Sequence, residues 1–160
     1  FSLNQTSTNQ SLARRMAIDS SDLKVSYWND RTPPILVWNL TGQNSHIDFV
    51  IQNSQVQADI SLTVWNSSAS ASATLNSWVD ANFTRSNLTI GDESYLRNGS
   101  FGSQYSLEVC FRRGNVTVSI FSSGFALSAS DWSCDYDAMF FLAIAQDAKI
   151  REVQNSLVIR

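Results

Sequence analysis

The chain is poor in charge. Only 16% of its 160 residues are Asp, Glu, Lys or Arg, against about 25% in ordinary soluble domains, and Lys24 and Lys149 are its only lysines. The net charge is -3, and basic doublets occur only at Arg14-Arg15 and Arg112-Arg113. No cationic stripe is available to neutralise phosphates, so no nucleic acid partner is expected, nor any pull toward anionic membranes. No apolar run approaches the ~20 residues of a membrane-spanning helix, so no membrane insertion is expected. Potential metal ligands are scarce as well. One histidine, His46, and two cysteines, Cys110 and Cys134, do not make the three or four ligands of a zinc centre.

The signatures of chemistry are missing in the same way. No Gly-x-Ser-x-Gly elbow is present, and Gly99-Ser100-Phe101-Gly102 has neither the Lys nor the following helix of a phosphate-binding loop. His46 and Asp48 share a face of a predicted strand and could orient a base, but no nucleophile accompanies them, and a polar strand position accounts for the pair. Asp131, Asp135 and Asp137 lack the Gly and distal Glu of an EF-hand, and a role at a helix start accounts for them. No catalytic residue, metal or cofactor is expected, and the chain reads as non-enzymatic.

What fills the surface instead is Ser, Thr and Asn. Eight of the thirteen asparagines, Asn4, Asn9, Asn39, Asn66, Asn82, Asn87, Asn98 and Asn115, stand in Asn-x-Ser/Thr acceptor sites, where a composition about one-fifth Ser and Thr would place about three by chance. The excess predicts a secreted, N-glycosylated protein at the cell surface or outside the cell, carrying covalent N-linked glycans. A start at Phe1 fits a mature product with its signal segment removed. In that compartment Cys110 and Cys134 are expected to form one disulfide, contributing about 3 kcal/mol by loop closure. In a reducing compartment they would instead be two buried thiols.

The clearest structural signal runs from Tyr105 to Ile120. Leu107, Val109 and Phe111 alternate on one face of a predicted strand, Val116, Val118 and Ile120 on one face of the next, and a two-residue turn at Arg113-Gly114 or Gly114-Asn115 joins them. Asn115 then sits at a hairpin tip, where a glycan projects into water. Further strands are predicted at Leu23 to Tyr27, Ile35 to Leu40, Ile47 to Gln52, Asp59 to Trp65 and between Gly124 and Ser130. A helical period opens at Ser68 or Ser70 and puts Ala71, Leu75, Trp78, Val79 and Phe83 on one side. A second helix is predicted from about Tyr136 to Val153, capped by Ser133 or Asp135. Its inward residues are Ala138, Phe141, Leu142, Ala145 and Val153. Residues 94–104 read as a loop, Ser11 to Ile18 as a short helix, and Leu157-Val158-Ile159 as a terminal strand or free arm. The expected fold is α+β: an antiparallel sheet of about six to eight strands with two main helices packed on it, one domain over residues 12–160, preceded by a polar arm at residues 1–11.

Ser21-Asp22-Leu23, Ile60 to Ala73, Gly91-Asp92-Glu93, Phe111 to Val118 and Leu142 to Ile150 carry a resemblance. In their order the chain resembles small bacterial extracytoplasmic α+β domains of the lipoprotein and sensor type, some with a PsbP-like sheet. The resemblance implies a fold and a cell-surface location; such families share no single activity, so no functional residue transfers.

Two functional readings follow. The first is a structural subunit that associates with itself, a fibre, filament or coat protomer, with strand addition from residues 1–9 or 156–160. Residues 116–160 hold no acceptor site and leave the last helix free for contact. The alternative is a monomeric extracellular module binding a peptide, sugar or small molecule in a cleft between sheet and helices.

Overall fold

The computed structural model describes residues 12–19, 21–22, 35–39, 46–52, 57–87, 89–101, 104–125 and 132–158; for 35–39, 46–52, 57–58, 100–101, 104–105, 123–125 and 132–138 the backbone alone is described. The predicted arm, the strand at Leu23 to Tyr27 and residues 126–131 lie outside the described residues.

The fold is α+β and its sheet is antiparallel throughout. A helical turn over 12–16 (α1) comes first. Strands β1 (Ile35–Asn39), β2 (His46–Gln52) and β3 (Gln57–Val64) follow as a meander, then α2 (Ser68–Trp78), β4 (Thr84–Arg85), β5 (Glu93–Phe101), β6 (Gln104–Arg113), β7 (Val116–Phe125) and α3 (Trp132–Val158). The sheet order is β1-β2-β3-β7-β6-β5-β4. The chain thus starts at one edge, crosses with α2 from the middle to the other edge, and returns strand by strand until β7 lies beside β3.

Register explains the core. Val109 is opposite Ile120 and Phe111 opposite Val118, while Ile60 and Leu62 meet the same residues from the other side. Because alternate residues share a face, this puts Ile60, Leu62, Val64, Leu107, Val109, Phe111, Val116, Val118 and Ile120 on one surface, all 0–3% exposed. Against it pack Ala13, Met16 and Ile18 from the N-terminal segment and Met139, Leu142, Ala143, Ile150 and Val153 from α3. Each fully buried side chain of this size contributes about 2 kcal/mol. The hairpin turn is Gly114-Asn115, since Arg113 pairs with Val116, and Gly114 takes φ 57 there.

The helices lie on both sides of the sheet. Arg112 and Arg113 are successive strand residues and point oppositely. Arg113 reaches Asp147 on α3, whereas Glu93, opposite Arg112, accepts from Ser72 on α2 at 3.4 Å. Ala71 and Leu75 of α2 are fully buried but stand apart from the main core.

Several expectations are corrected. The stretch predicted as a loop at 94–104 is mostly strand β5, paired along its length with β6. Ser67, not Ser68 or Ser70, caps α2, its hydroxyl accepting from Ser70 N. The helix stops at Trp78 because Asp80 turns the chain by accepting from Asn82 N at 2.8 Å, so Phe83 leaves the helical stripe. Helix α3 begins at Trp132, ahead of Ser133 and Asp135, and continues through Leu157 and Val158, which are neither strand nor free arm. Of its predicted inward residues, Leu142, Ala145 and Val153 are buried but Phe141 is only half-buried, the inward positions being taken by Met139, Ala143, Gln146 and Ile150.

Candidate functional site

Among the described residues, three networks of charged and polar side chains tie elements of the fold together. The first gathers at the hairpin tip. Gly91, at φ 67, lets the backbone reverse so that Asp92 N donates to Arg112 O at 2.6 Å. The Asp92 carboxylate then accepts from Arg112 Nη1 at 3.0 Å, Arg113 Nη1 at 3.1 Å and Gly114 N at 2.8 Å. Arg112 also donates Nε to Glu93 at 2.7 Å. Arg113 makes a fork on Asp147, Nε to Oδ1 and Nη2 to Oδ2, both at 2.8 Å. Asp147 is 2% exposed and has Arg151 as its second cation at 3.4 Å. The hydrogen-bonded Asp147 carboxylate, ahead of other causes, raises the Arg113 guanidinium still further above its ordinary range. The Arg112-Arg113 doublet is therefore a tie between α3, the hairpin tip and the Gly91-Asp92 turn.

The second set lies on the α2 side of the sheet. Glu108 receives Arg97 and Ser119 Oγ, the latter at 3.0 Å, and Cys110 Sγ lies 3.4 Å from it. Arg97 stacks over Phe83, 4.6 Å from the ring centroid, and reaches Asp80 at 3.7 Å. Cys110 is fully buried, and burial first, then the Glu108 charge, pushes its thiol up to about 12. A thiol held protonated is a poor nucleophile and a poor metal ligand. Glu108, with two polar donors and the thiol around it, is a satisfied carboxylate more than a poised base.

The third set ties the N-terminal segment to α3. Gln146, fully buried, donates Nε2 to Met16 O at 2.6 Å and accepts from Ile18 N at 3.4 Å. Lys149 pairs with Asp22 at 3.1 Å, and Arg15 donates to Ser156 Oγ at 3.2 Å.

The residues singled out from sequence are dispersed. His46 and Asp48 occupy β2 positions opposite Thr63 and Ser61. Among the described residues no group of three or more metal-ligating side chains occurs. Gly99, Ser100 and Phe101 belong to β5 and form no loop. For the expected Cys110–Cys134 bridge the backbone alone is described at Cys134, and Cys110 is a free thiol in the structure. It faces the α2 side, while α3, which carries Cys134, packs on the other side of the sheet. Of the acceptor asparagines, Asn66, Asn82, Asn87 and Asn98 are exposed and Asn115 is half-buried. Asn4 and Asn9 lie outside the described residues, and Asn39 ends β1. No residue of α1 or α3 lies in an acceptor site.

The outer surface of α3 differs from the rest. The large hydrophobic side chains exposed among the described residues are Ile144, Leu157 and Val158, all on this helix. Ile144, Arg151 and Val158 recur at heptad spacing and Ala148 falls between them, so they share one stripe. Alternating polarity, by contrast, could not reveal Arg97, Glu108 and Ser119 as neighbours, because they come from three strands; only the register joins them.

No protein-family profile, curated protein or solved structure matches this chain. The likeness to PsbP-like lipoprotein and sensor domains draws no support from these comparisons.

Proposed function

We propose that this protein is a non-enzymatic, secreted and N-glycosylated structural subunit that associates with copies of itself through the outward stripe of α3. The observation that carries this reading is the placement of exposed apolar side chains. Ile144 and Val158 are 44% and 85% exposed on a helix without an acceptor site, whereas exposed acceptor asparagines flank α2 and lie on β5. Sugar would keep the latter surfaces apart and leave the former open. A 27-residue helix is about 40 Å long, enough for two antiparallel copies to pack along their length. Because residues 156–158 are helical, the contact at this end is helix packing, not strand addition. The polar sets support the absence of chemistry in this reading, since the cluster around Glu108 pairs its charges and protonates its thiol.

The test is sedimentation velocity over a hundredfold concentration range with electron microscopy of the concentrated sample. Oligomers or filaments that dissociate in an Ile144→Glu/Val158→Glu variant of unchanged Tm are expected. A monodisperse wild-type monomer that retains a small ligand would replace this reading with that of a binding module.

A further inference from the structure

The acceptor site at the hairpin tip is held at both of its functional groups. Asn115 Nδ2, the atom that would carry the sugar, donates to Trp65 O at 2.6 Å. Thr117 Oγ1, the hydroxyl that makes the triplet an acceptor, receives Trp65 Nε1 at 2.9 Å and belongs to a fully buried residue. Trp65 N donates to Asn115 O at 2.8 Å, extending the β3–β7 ladder by one step beyond Val64 and Val116. One residue, about fifty positions earlier in the chain, thus occupies both functional groups of the Asn115-Val116-Thr117 site.

We infer that Asn115-Val116-Thr117 is a fold-gated acceptor, open to N-glycosylation only until β3 and β7 pair and closed by Trp65 afterward, while Asn87, exposed beyond the end of β4, stays open in the folded protein. In the transfer the Asn Nδ2 bonds to C1 of a polyprenyl-diphosphate-linked sugar as the C1–O bond breaks. The lipid diphosphate leaves with the bonding electrons, and the Nδ2 proton passes to a base of the transferase. That attack needs Nδ2 withdrawn from Trp65 O and the triplet lifted off the sheet. Neither is possible without opening the Trp65 contacts and the adjoining Val64–Val116 pairing, which buries two side chains at 3% exposure or less. Asn87 is exposed and lies outside the strands, so no strand pairing has to open there first.

The consequence is spatial. The hairpin tip abuts the end of α3, where Gln154 Nε2 donates to Arg113 O at 3.4 Å. A closed site keeps the hairpin tip, next to this end of α3, free of sugar. The gate itself is independent of the self-association reading and of the compartment in which the chain is made.

The experiment uses the full-length chain, produced without sugar in a non-glycosylating host. It is incubated folded with a purified single-subunit oligosaccharyltransferase and a polyprenyl-diphosphate-linked oligosaccharide. Occupancy is read site by site by peptide mass spectrometry, with a synthetic peptide of residues 109–123 as the unstructured reference. Transfer to Asn87, with Asn115 in the folded chain modified at least tenfold more slowly than in the peptide, is expected. Asn115 modified in the folded chain as fast as Asn87 overturns the gate. So does a peptide no better than the folded chain, which would place the block in the local sequence, and so does failure at Asn87, which would mean that exposure does not decide.

Discussion

Removing one side of the Arg113–Asp147 pair should cost more from one end than from the other. Asp147 is 2% exposed, and apart from Arg113 its cation is Arg151, at 3.4 Å from a side chain that is 55% exposed. Arg113→Met therefore leaves a buried carboxylate with a single, solvent-weakened partner. Breaking a buried pair in this way costs about 3–5 kcal/mol, and with Arg151 remaining we expect about 3 kcal/mol. Asp147→Asn leaves the Arg113 guanidinium, 22% exposed and still bonded to Asp92 at 3.1 Å. It also keeps an amide oxygen as acceptor, so we expect about 1–2 kcal/mol, the scale of one weakened charged hydrogen bond. Arg113→Met/Asp147→Leu removes both charges and retains volume, and should lie within about 1 kcal/mol of Asp147→Asn. Urea unfolding followed by tryptophan fluorescence and far-UV circular dichroism gives all three values, with coincident curves as the check on two-state behaviour. Equal costs for the two single variants, or a double variant less stable than Arg113→Met, would refute the reasoning.

Alkali should destabilise the protein by way of a group that resists ionisation in the folded state. The Cys110 thiol is pushed from its ordinary 9.0 up to about 12, so its contribution to stability is complete below pH 9 and is lost as pH rises from 9 toward 12. The slope is about 1.4 kcal/mol per pH unit; urea midpoints from pH 8 to 10 should fall in the wild type and flatten in Cys110→Ser, and a flat wild-type profile contradicts the burial argument. Gly91→Ala should cost about 2–3 kcal/mol, because the added Cβ at φ 67 would collide with Arg112 O. Gly114→Ala, which meets only Gln154 Nε2 at 3.0 Å, should cost about 1 kcal/mol, and comparable Tm losses for the two would show that close approach is not what Gly91 provides. Gln146→Leu strands Met16 O and Ile18 N without their buried partner, at a cost of about 1–3 kcal/mol. Amide exchange should rise first over residues 13–18 and not in β6 or β7.

The central hairpin was legible because two independent signals coincide there. Period-two alternation places Leu107, Val109 and Phe111 against Val116, Val118 and Ile120, and Gly114 supplies the positive φ that a two-residue connection demands. Strand β5 was not legible, because Glu93 to Phe101 reads Glu-Ser-Tyr-Leu-Arg-Asn-Gly-Ser-Phe, rich in turn formers and poor in β-branched residues. Pairing along its whole length with β6 overrides that propensity. The ends of α3 failed for a related reason. Caps are short-range signals, and Ser133 and Asp135 both qualify, but the helix runs from Trp132 to Val158, past the predicted limits at both ends.

The polar sets were less legible than the fold because each is assembled across strands. Arg112-Arg113 looks like any surface doublet until strand alternation sends one guanidinium to Glu93 and the other to Asp147. Nothing local distinguishes Asp147 from the exposed Glu152, five residues on in the same helix. The acceptor sites show the same limit from the opposite direction. An Asn-x-Thr triplet is read from three adjacent residues, and by that measure Asn87 and Asn115 are equivalent. What separates them is Trp65, whose contacts with Asn115 and Thr117 exist only once β3 lies against β7. Local pattern therefore states which asparagines are eligible, and long-range strand pairing states for how long.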